Sequence, residues 1–230
     1  MDHKKILFLL LALTLLFGIV FSLYPEIDLH IMHYIYSNHG GAFFSRQGGE
    51  LWSVFPFPTS LIKQISILLF SIIGVVFIMN LLCKTTALKL NTKMLTFILL
   101  VLLLAPGLLV NTVLKEYWGR ARPHDVIEFG GTKHFTPPLI LSAQCSHNCS
   151  FVSGHTSMAT FFIVFSFLLT GWRQKIGYGS ALTFAVFVSL SRVLKGAHFP
   201  SDVMFSMLFT LMIGHLLYLK LFEQKTPTPA

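Results

Sequence analysis

The stretch ILFLLLALTLLFGIVFSL, residues 6–23, decides the fold class of this chain. It contains no charged residue, and apolar runs of about 17 to 25 residues are long enough to cross a bilayer as a helix. Lys4 and Lys5 precede it, as basic residues precede the apolar core of a signal peptide. However, the run exceeds a typical signal core and no small-residue cleavage site follows it. We therefore expect a retained membrane helix.

Five more apolar stretches follow along the chain. Together they predict six membrane-spanning helices: residues 6–23, 65–83, 94–114, 156–172, 176–190 and 203–219. Pro106 and Gly107 predict a kink in the third of them. The expected fold class is an all-α integral membrane protein, a helical bundle that forms a single domain over residues 1–230.

The composition of the 230 residues excludes most other classes of protein. Hydrophobic residues make up 54% of the chain and charged residues 11%, and the mean hydropathy is +0.71. A soluble domain carries about 25% charged residues, so this chain has too few charges to cover a soluble surface. The same figures exclude disordered, coiled-coil and collagen-like chains. Three cysteines are too few for a disulfide-rich fold.

The net charge of +8 is explained by topology and not by a nucleic-acid partner. Cytoplasmic loops of membrane proteins are enriched in Lys and Arg. One side of the predicted bundle holds both termini and two short turns, and it carries nine basic and two acidic residues. The other side carries eight basic and seven acidic residues. We expect both termini in the cytoplasm, two longer loops outside, and no nucleic acid as a partner.

The first long outer loop, residues 24–64, carries an interfacial signal. Ile27, Ile31 and Ile35 recur at helical spacing and predict a short helix at the membrane surface. Aromatic side chains follow this helix: Phe43, Phe44, Trp52, Phe55 and Phe57. They indicate either an aromatic belt at headgroup level or a route by which lipid chains enter a site.

Three clusters of polar residues interrupt the apolar sequence, and the predicted topology places all three on the outer face. They are residues 115–123, residues 153–155, and residues 191–202. Lys115, Arg122 and Arg192 are cations beside apolar spans, where ionisable groups are costly. Three such cations with two histidines indicate a site for an anion, and Arg offers a planar fork to phosphate oxygens.

Two predicted helix starts supply further groups for an anion site. Ser153 and Gly154 open the fourth span, where free backbone amides bind anions and Gly permits close approach; an ordinary N-cap Ser is the alternative. Asp202 lies four residues after His198, at the start of the sixth span. There its carboxylate can accept an imidazole N–H, which leaves the other ring nitrogen free to attack phosphorus. A capping Asp beside a surface His is the alternative.

Together the three clusters resemble the signature of the type 2 phosphatidic acid phosphatase superfamily. Ten signature positions match: Lys115, Arg122, Pro123, Ser153, Gly154, His155, Ser191, Arg192, His198 and Asp202. Val152 stands where the family has Pro, and this difference removes no catalytic group.

The resemblance implies a division of labour among these residues. His198 is the nucleophile that forms a phosphohistidine, Asp202 orients it, and His155 protonates the leaving oxygen and later activates water. The phosphate is held by Lys115, Arg122, Ser153, Gly154 and Arg192. The family requires no metal ion or other cofactor, and no cluster of carboxylates in the sequence marks a metal site.

Four further residues are candidates for accessory roles. Arg120 either binds a second phosphate or a headgroup, or it faces lipid. Asn111 either orients Lys115 or packs between helices. Cys145 and Cys149 form a disulfide in an oxidising compartment, with free thiols as the alternative. One histidine between them supplies too few ligands for zinc.

The position at the outer boundary of the membrane limits the substrate to a lipid phosphate. Residues 118–123 and 144–151 resemble the bacterial lipid A phosphatases, in particular the 4′-phosphatases. This implies a lipid A 4′- or 1-phosphatase in the bacterial inner membrane, with its site facing the periplasm. A phosphatase for undecaprenyl diphosphate or phosphatidylglycerol phosphate, a lipid phosphotransferase, and a non-catalytic lipid-binding or transport protein are the alternatives.

Overall fold

The computed structural model describes residues 1–44, 59–83 and 91–223, which form helices joined by loops. The helices are α1 (His3–Leu23), α2 (Glu26–Asn38), α3 (Thr59–Cys83), α4 (Thr92–Tyr117), α5 (Gly154–Phe161), α6 (Val164–Phe167), α7 (Gly171–Leu194) and α8 (Pro200–Phe222). Two 3₁₀ turns, Pro123–Asp125 and Ile127–Phe129, lie between α4 and α5. No β-strand occurs among the described residues, in agreement with the predicted all-α class.

Within the part of the chain that the structure describes, four helices are long and apolar enough to cross a membrane: α1, α4, α7 and α8. They have 21 to 26 residues, and about 20 residues span the hydrocarbon core. Two other predicted spans coincide with shorter apolar helices, Phe70–Cys83 within α3 and Gly154–Phe167, which comprises α5 and α6. Among the described residues, four of the six predicted spans are therefore long apolar helices, and the other two correspond to shorter apolar helical segments.

The C-terminal half of α4 is wound more widely than an α-helix. Leu103–Leu114 is π-helical and contains Pro106. Proline has no N–H and cannot take its place in the α-helical ladder, whereas a π-helix has a different bonding pattern and often marks a functional site. The Asn111 side chain donates to the carbonyl of Pro106 at 2.6 Å. The predicted kink is thus a widened helix that ends at Lys115.

Helix α8 lies at the centre of the bundle and contacts α1, α2, α4, α5 and α7. The main apolar core lies between these helices and includes the buried side chains of Leu10, Phe97, Phe161 and Leu208. Burial of such side chains fixes the helix arrangement inside the protein. The start of α8 is therefore held by several helices at once.

The predicted interfacial helix is present as α2, but it packs onto the loops of the bundle. Met32 is fully buried against Phe129 and Phe199. Phe43 also belongs to this cluster, with its ring against Tyr36 and Phe129. The prediction that Phe43 is a membrane-surface aromatic residue was therefore wrong, because its ring fills a protein core. Phe44, another of the predicted surface rings, is partly exposed and lies with its ring centroid 3.9 Å from that of His39. The remaining predicted rings, Trp52, Phe55 and Phe57, lie outside the described residues.

Candidate active site

The three polar clusters meet at one end of the bundle. Lys115 ends the π-helical part of α4, Ser153 caps α5, and Arg192 lies in the last turn of α7. The hydroxyl of Ser206 in α8 donates to the carbonyl of Ser153 at 2.6 Å, which ties the start of α5 to α8. His155 is close enough to interact electrostatically with four of the other predicted site residues: Arg192, His198, Lys115 and Arg122.

His198 lies two residues before the start of α8 and is buried, with 1% of its surface exposed. Its Nδ1 lies 2.8 Å from the carbonyl oxygen of Ser150. Because a carbonyl can only accept a hydrogen bond, this contact places the proton on Nδ1. The lone pair of the neutral ring is then on Nε2, as a nucleophile at phosphorus requires.

The neutral form of His198 is favoured by its surroundings. Burial lowers the pKa of His198 to about 4, against the opposing influence of the Asp202 carboxylate. Desolvation disfavours a charged imidazole, and Arg192 and Arg122 act in the same direction. At neutral pH, therefore, the ring retains the lone pair that it needs for attack.

The carboxylate of Asp202 is engaged differently from the prediction. Its Oδ2 is 3.8 Å from Nδ1 of His198, beyond hydrogen-bond range. Three other donors hold it: the Ser150 hydroxyl at 2.5 Å, the Phe199 N–H at 2.8 Å and the Arg120 guanidinium at 2.6 Å. Ser150 therefore stands between Asp202 and His198, since its hydroxyl binds the carboxylate and its carbonyl binds the ring.

The cations of the site contact one residue that the sequence did not single out. Lys115 Nζ donates to the side-chain oxygen of Asn148 at 2.7 Å, and the Arg122 guanidinium donates to the Asn148 carbonyl at 2.8 Å. Arg192 differs, because its Nε is buried and has no hydrogen-bond partner among the described residues. An unpaired buried donor is costly unless a ligand supplies the acceptor.

Asn148 is held in a small covalent loop. Cys145 and Cys149 are joined by a disulfide, with three residues between them. The backbone of Asn148 is left-handed, with a φ of +50°, a conformation that Asn adopts more readily than most residues. The N–H of Cys149 donates to the carbonyl of Lys115 at 3.0 Å. The disulfide loop therefore lies directly against the end of α4.

The start of α5 combines a cap with a close approach. The Ser153 hydroxyl is buried and accepts from the N–H of Thr156 at 3.4 Å, so Ser153 acts as the N-cap. A Cβ added at Gly154 would lie 2.6 Å from the side-chain oxygen of Asn111. Only glycine fits there without a shift. Asn111 therefore contacts Pro106 and Gly154, whereas Lys115 contacts Asn148.

Both predicted placements of Arg120 were wrong. Its side chain has no exposed surface, so it neither faces lipid nor reaches a headgroup. The guanidinium forms ion pairs with Asp202 at 2.6 Å and with Asp28 of α2 at 2.8 Å. The aromatic rings of Phe135 and Phe199 cover it. A buried arginine is stable only when its charge and donors are satisfied in this way.

The described residues contain no group of three or more His, Cys, Asp or Glu side chains that could hold a metal ion. The cations of the site, Lys115, Arg122 and Arg192, carry only hydrogen-bond donors and are close enough to influence His155 electrostatically. Such an arrangement is suited to oxygens that carry negative charge.

Comparison with known proteins gives three findings. The family model described as the PAP2 superfamily matches residues 94–225. The "Lipid A 4'-phosphatase" of Francisella tularensis subsp. novicida (strain U112) is 32% identical over 212 residues, which cover 90% of this chain and 91% of that protein. A second "Lipid A 4'-phosphatase", from Rhizobium leguminosarum, is 39% identical over 115 residues, 49% of this chain and 48% of that protein.

One solved structure shares the fold. It is the crystal structure of a transmembrane PAP2 type phosphatidylglycerolphosphate phosphatase from Bacillus subtilis, with a TM-score of 0.55 and 23% sequence identity. The match covers 95% of this chain and 98% of that one. At this identity the likeness concerns the helical architecture alone.

Proposed function

This chain belongs to the PAP2 superfamily, and on that premise we propose that it removes a phosphate from lipid A at the periplasmic face of a bacterial inner membrane. It is a multi-pass membrane protein and a phosphatase that acts on a membrane lipid. The identity of the lipid, the side of the membrane and the role of each residue belong to the proposal.

The observation that carries the proposal is the unpaired Nε of Arg192 beside a buried, neutral histidine. Lys115, Arg122 and Arg192 interact electrostatically with one another, so their mutual repulsion is relieved when an anion lies between them. A phosphate group supplies both the negative charge and the acceptor oxygens. The same cations repel protons from His198, which keeps its lone pair available.

Lipid A is supported as the substrate by the full-length relative. The lipid A 4′-phosphatase of F. tularensis subsp. novicida aligns over nine-tenths of both chains, including the outer helix α2 and the loop that follows α4. In this loop the indole of Trp118 donates to the carbonyl of Pro138 at 2.6 Å, and the Trp118 carbonyl accepts from the N–H of Ser142. The N–H of Ser150 donates to the carbonyl of Arg120 at 2.9 Å, and the Arg122 guanidinium donates to the Asn148 carbonyl at 2.8 Å. The two stretches that gave the local resemblance to lipid A phosphatases, residues 118–123 and 144–151, therefore contact each other beside the site.

In the first half-reaction, Nε2 of His198 attacks phosphorus and the bond to the lipid oxygen breaks. The three cations and the amide groups at the start of α5 stabilise the negative charge that spreads over the phosphoryl oxygens. His155 gives a proton to the leaving lipid oxygen, so the products are the dephosphorylated lipid and a phosphorylated His198. The negative phosphate offsets the surrounding cations and so favours the protonated form of His155.

In the second half-reaction, His155 accepts a proton from water. The hydroxide oxygen attacks phosphorus, the bond between Nε2 and phosphorus breaks, and inorganic phosphate leaves. Microscopic reversibility gives His155 the two opposite roles in the two steps. His198 is then neutral again, with its proton still on Nδ1.

The membrane arrangement follows from charge. We place both termini in the cytoplasm, because Lys and Arg are concentrated on the side of the termini. The two shorter apolar helices, Phe70–Cys83 and Gly154–Phe167, complete six crossings in this arrangement. Polar residues at the start of α5 are then at the outer boundary, where a lipid headgroup lies.

One assay tests the proposal. Purified protein is given lipid A, undecaprenyl diphosphate and phosphatidylglycerol phosphate in separate reactions, with and without EDTA, and released phosphate is measured. We expect lipid A to be the preferred substrate and EDTA to have no effect. His198→Ala should lower activity by about 10³-fold or more, whereas the matched change at the exposed loop residue His134 should leave it unchanged.

A different experimental result would refute each part of the proposal. Activity that survives in His198→Ala would refute the nucleophile. Loss of activity with EDTA would refute metal independence. Preference for either of the other two lipids would refute lipid A as the substrate, and transfer of phosphate to a second lipid would refute hydrolysis. Mass spectrometry of lipid A from an expressing strain identifies which phosphate is removed.

A further inference from the structure

Arg120 is the centre of a buried polar network that the reaction itself does not use. Its Nε donates to the carbonyl of Thr136 at 2.8 Å, and one terminal nitrogen donates to the Ser201 hydroxyl at 2.9 Å and to Asp202 at 2.6 Å. The other terminal nitrogen donates to Asp28 at 2.8 Å. All three nitrogens are therefore engaged, and the guanidinium is fixed in one orientation.

Asp28 completes this network from a distant part of the chain. It belongs to α2, well before the residues that match the family model, which begin at residue 94. Its carboxylate is fully buried. One oxygen accepts from the Ser201 N–H at 2.9 Å, and the other accepts from Arg120 and from the Ser201 hydroxyl. Asp28 therefore binds the first turn of α8 as well as the arginine.

The network leads from Asp28 to His198. Arg120 lies between two carboxylates and binds Oδ1 of Asp202, while Oδ2 of Asp202 accepts from the Ser150 hydroxyl. The carbonyl of Ser150 in turn accepts from Nδ1 of His198. If Asp28 were absent, one terminal nitrogen of the guanidinium would lose its acceptor inside a dry interior, and Arg120 would no longer be held from both sides.

We propose that Asp28 is a positioning residue for phosphoryl transfer, because through Arg120 it fixes the Asp202 carboxylate and the Ser150 backbone that hold His198. This inference rests on the proposed function. Asp28 touches neither the cations nor the nucleophilic nitrogen, so it affects the chemical step and leaves lipid binding unchanged. A purely structural role, attachment of α2 to the bundle, would affect stability without a selective loss of kcat.

The test compares Asp28→Asn with Glu26→Gln. Both substitutions remove one acid from α2, but Glu26 is exposed, whereas Asp28 is buried. Steady-state kinetics on lipid A give kcat and KM, and thermal unfolding in detergent gives the stability of each variant. Loss of an interaction that orients the nucleophile lowers kcat, and we expect about a tenfold or larger decrease for Asp28→Asn with KM within about twofold. Glu26→Gln should resemble the wild type.

Two results would overturn the inference. One is a kcat for Asp28→Asn that equals that of Glu26→Gln; the other is a loss that appears in KM alone. If Asp28→Asn does not fold, the same kinetic comparison is made with Ser201→Ala. The Ser201 hydroxyl contacts both Asp28 and Arg120 but carries no charge. We expect Ser201→Ala to lower kcat selectively, and an unchanged kcat would refute the positioning role. A wild type without activity on lipid phosphates would instead refute the proposed function.

Discussion

Opening the disulfide loop should weaken phosphate binding. In the structure, the loop from Cys145 to Cys149 presents Asn148 to two cations: its side-chain oxygen accepts from Lys115 and its carbonyl accepts from Arg122. The double substitution Cys145→Ser with Cys149→Ser replaces each sulfur by a hydroxyl of similar size and removes the covalent link.

The size of the effect follows from the length of the loop. In the chain-entropy model, closing a loop of about five residues restricts the open chain by about 2 kcal/mol. The open loop must recover this ordering before Asn148 can contact Lys115. At 1.4 kcal/mol per factor of ten, kcat/KM should fall by about 30-fold at most. Because Lys115 and Arg122 are proposed to hold the phosphate, the change should appear mainly as a higher KM.

The assay measures phosphate release from lipid A by the wild type, the double variant and Cys83→Ser. Cys83 is a free, exposed cysteine and provides the matched control. Treating the wild type with a thiol reductant should reproduce the loss seen in the double variant and should not affect the double variant itself. Asn148→Ala should give a loss of similar size, and combining it with the double variant should add little, since both act through one contact.

This reasoning would be refuted if kcat/KM of the double variant were within about twofold of that of Cys83→Ser. A loss of about 2 kcal/mol corresponds to a decrease much larger than twofold. A loss confined to kcat would also refute the reasoning, because the loop would then act on the chemical step. An effect of reductant on Cys83→Ser larger than on the wild type would show that the reductant acts elsewhere.

Three further predictions concern the site. Gly154→Ala should lower activity about tenfold or more, since a Cβ there lies 2.6 Å from the Asn111 oxygen and overpacking costs about 1–3 kcal/mol; adding Asn111→Ala should restore part of it, and no restoration would contradict the clash. His198 should titrate near pH 4 in a ¹⁵N NMR titration, because burial favours the neutral ring and protonation occurs only as the pH falls through that pKa; a midpoint near 6.5 would contradict this. Arg192→Lys keeps the charge but removes the unpaired Nε, so KM should rise about tenfold; an unchanged KM would show that this nitrogen does not bind the phosphate.

Much of the architecture could be predicted from the sequence. The family prediction was confirmed by the match over residues 94–225 and by the full-length relative. Apolar stretches identified where helices lie, because hydrophobic length is a property of local sequence. Helix ends were harder to predict: residues 156–172 were predicted as one span, but the apolar helical segment runs from Gly154 to Phe167, and α7 already begins at Gly171. Tertiary contacts decide such boundaries.

The contrast between Arg120 and Arg122 shows what local sequence cannot give. The two residues are of one type and lie two positions apart, yet Arg120 is fully buried between carboxylates and Arg122 reaches the disulfide loop. What separates them is Asp28, which lies 92 positions before Arg120. A single acid between two predicted spans has no motif or periodicity that would mark it. Ser150 was missed for the same reason.

The separation of 3.8 Å between Asp202 and the ring of His198 has a consequence for the energetics of the cycle. A neutral ring gains little from a carboxylate at that distance. In the proposed covalent intermediate, Nε2 carries the phosphoryl group and Nδ1 keeps its proton, so the ring is a cation. Two opposite charges about 4 Å apart attract by about 4 kcal/mol at an effective dielectric constant of 20. The carboxylate therefore contributes most in the covalent intermediate, and the resting enzyme is not stabilised to the same extent.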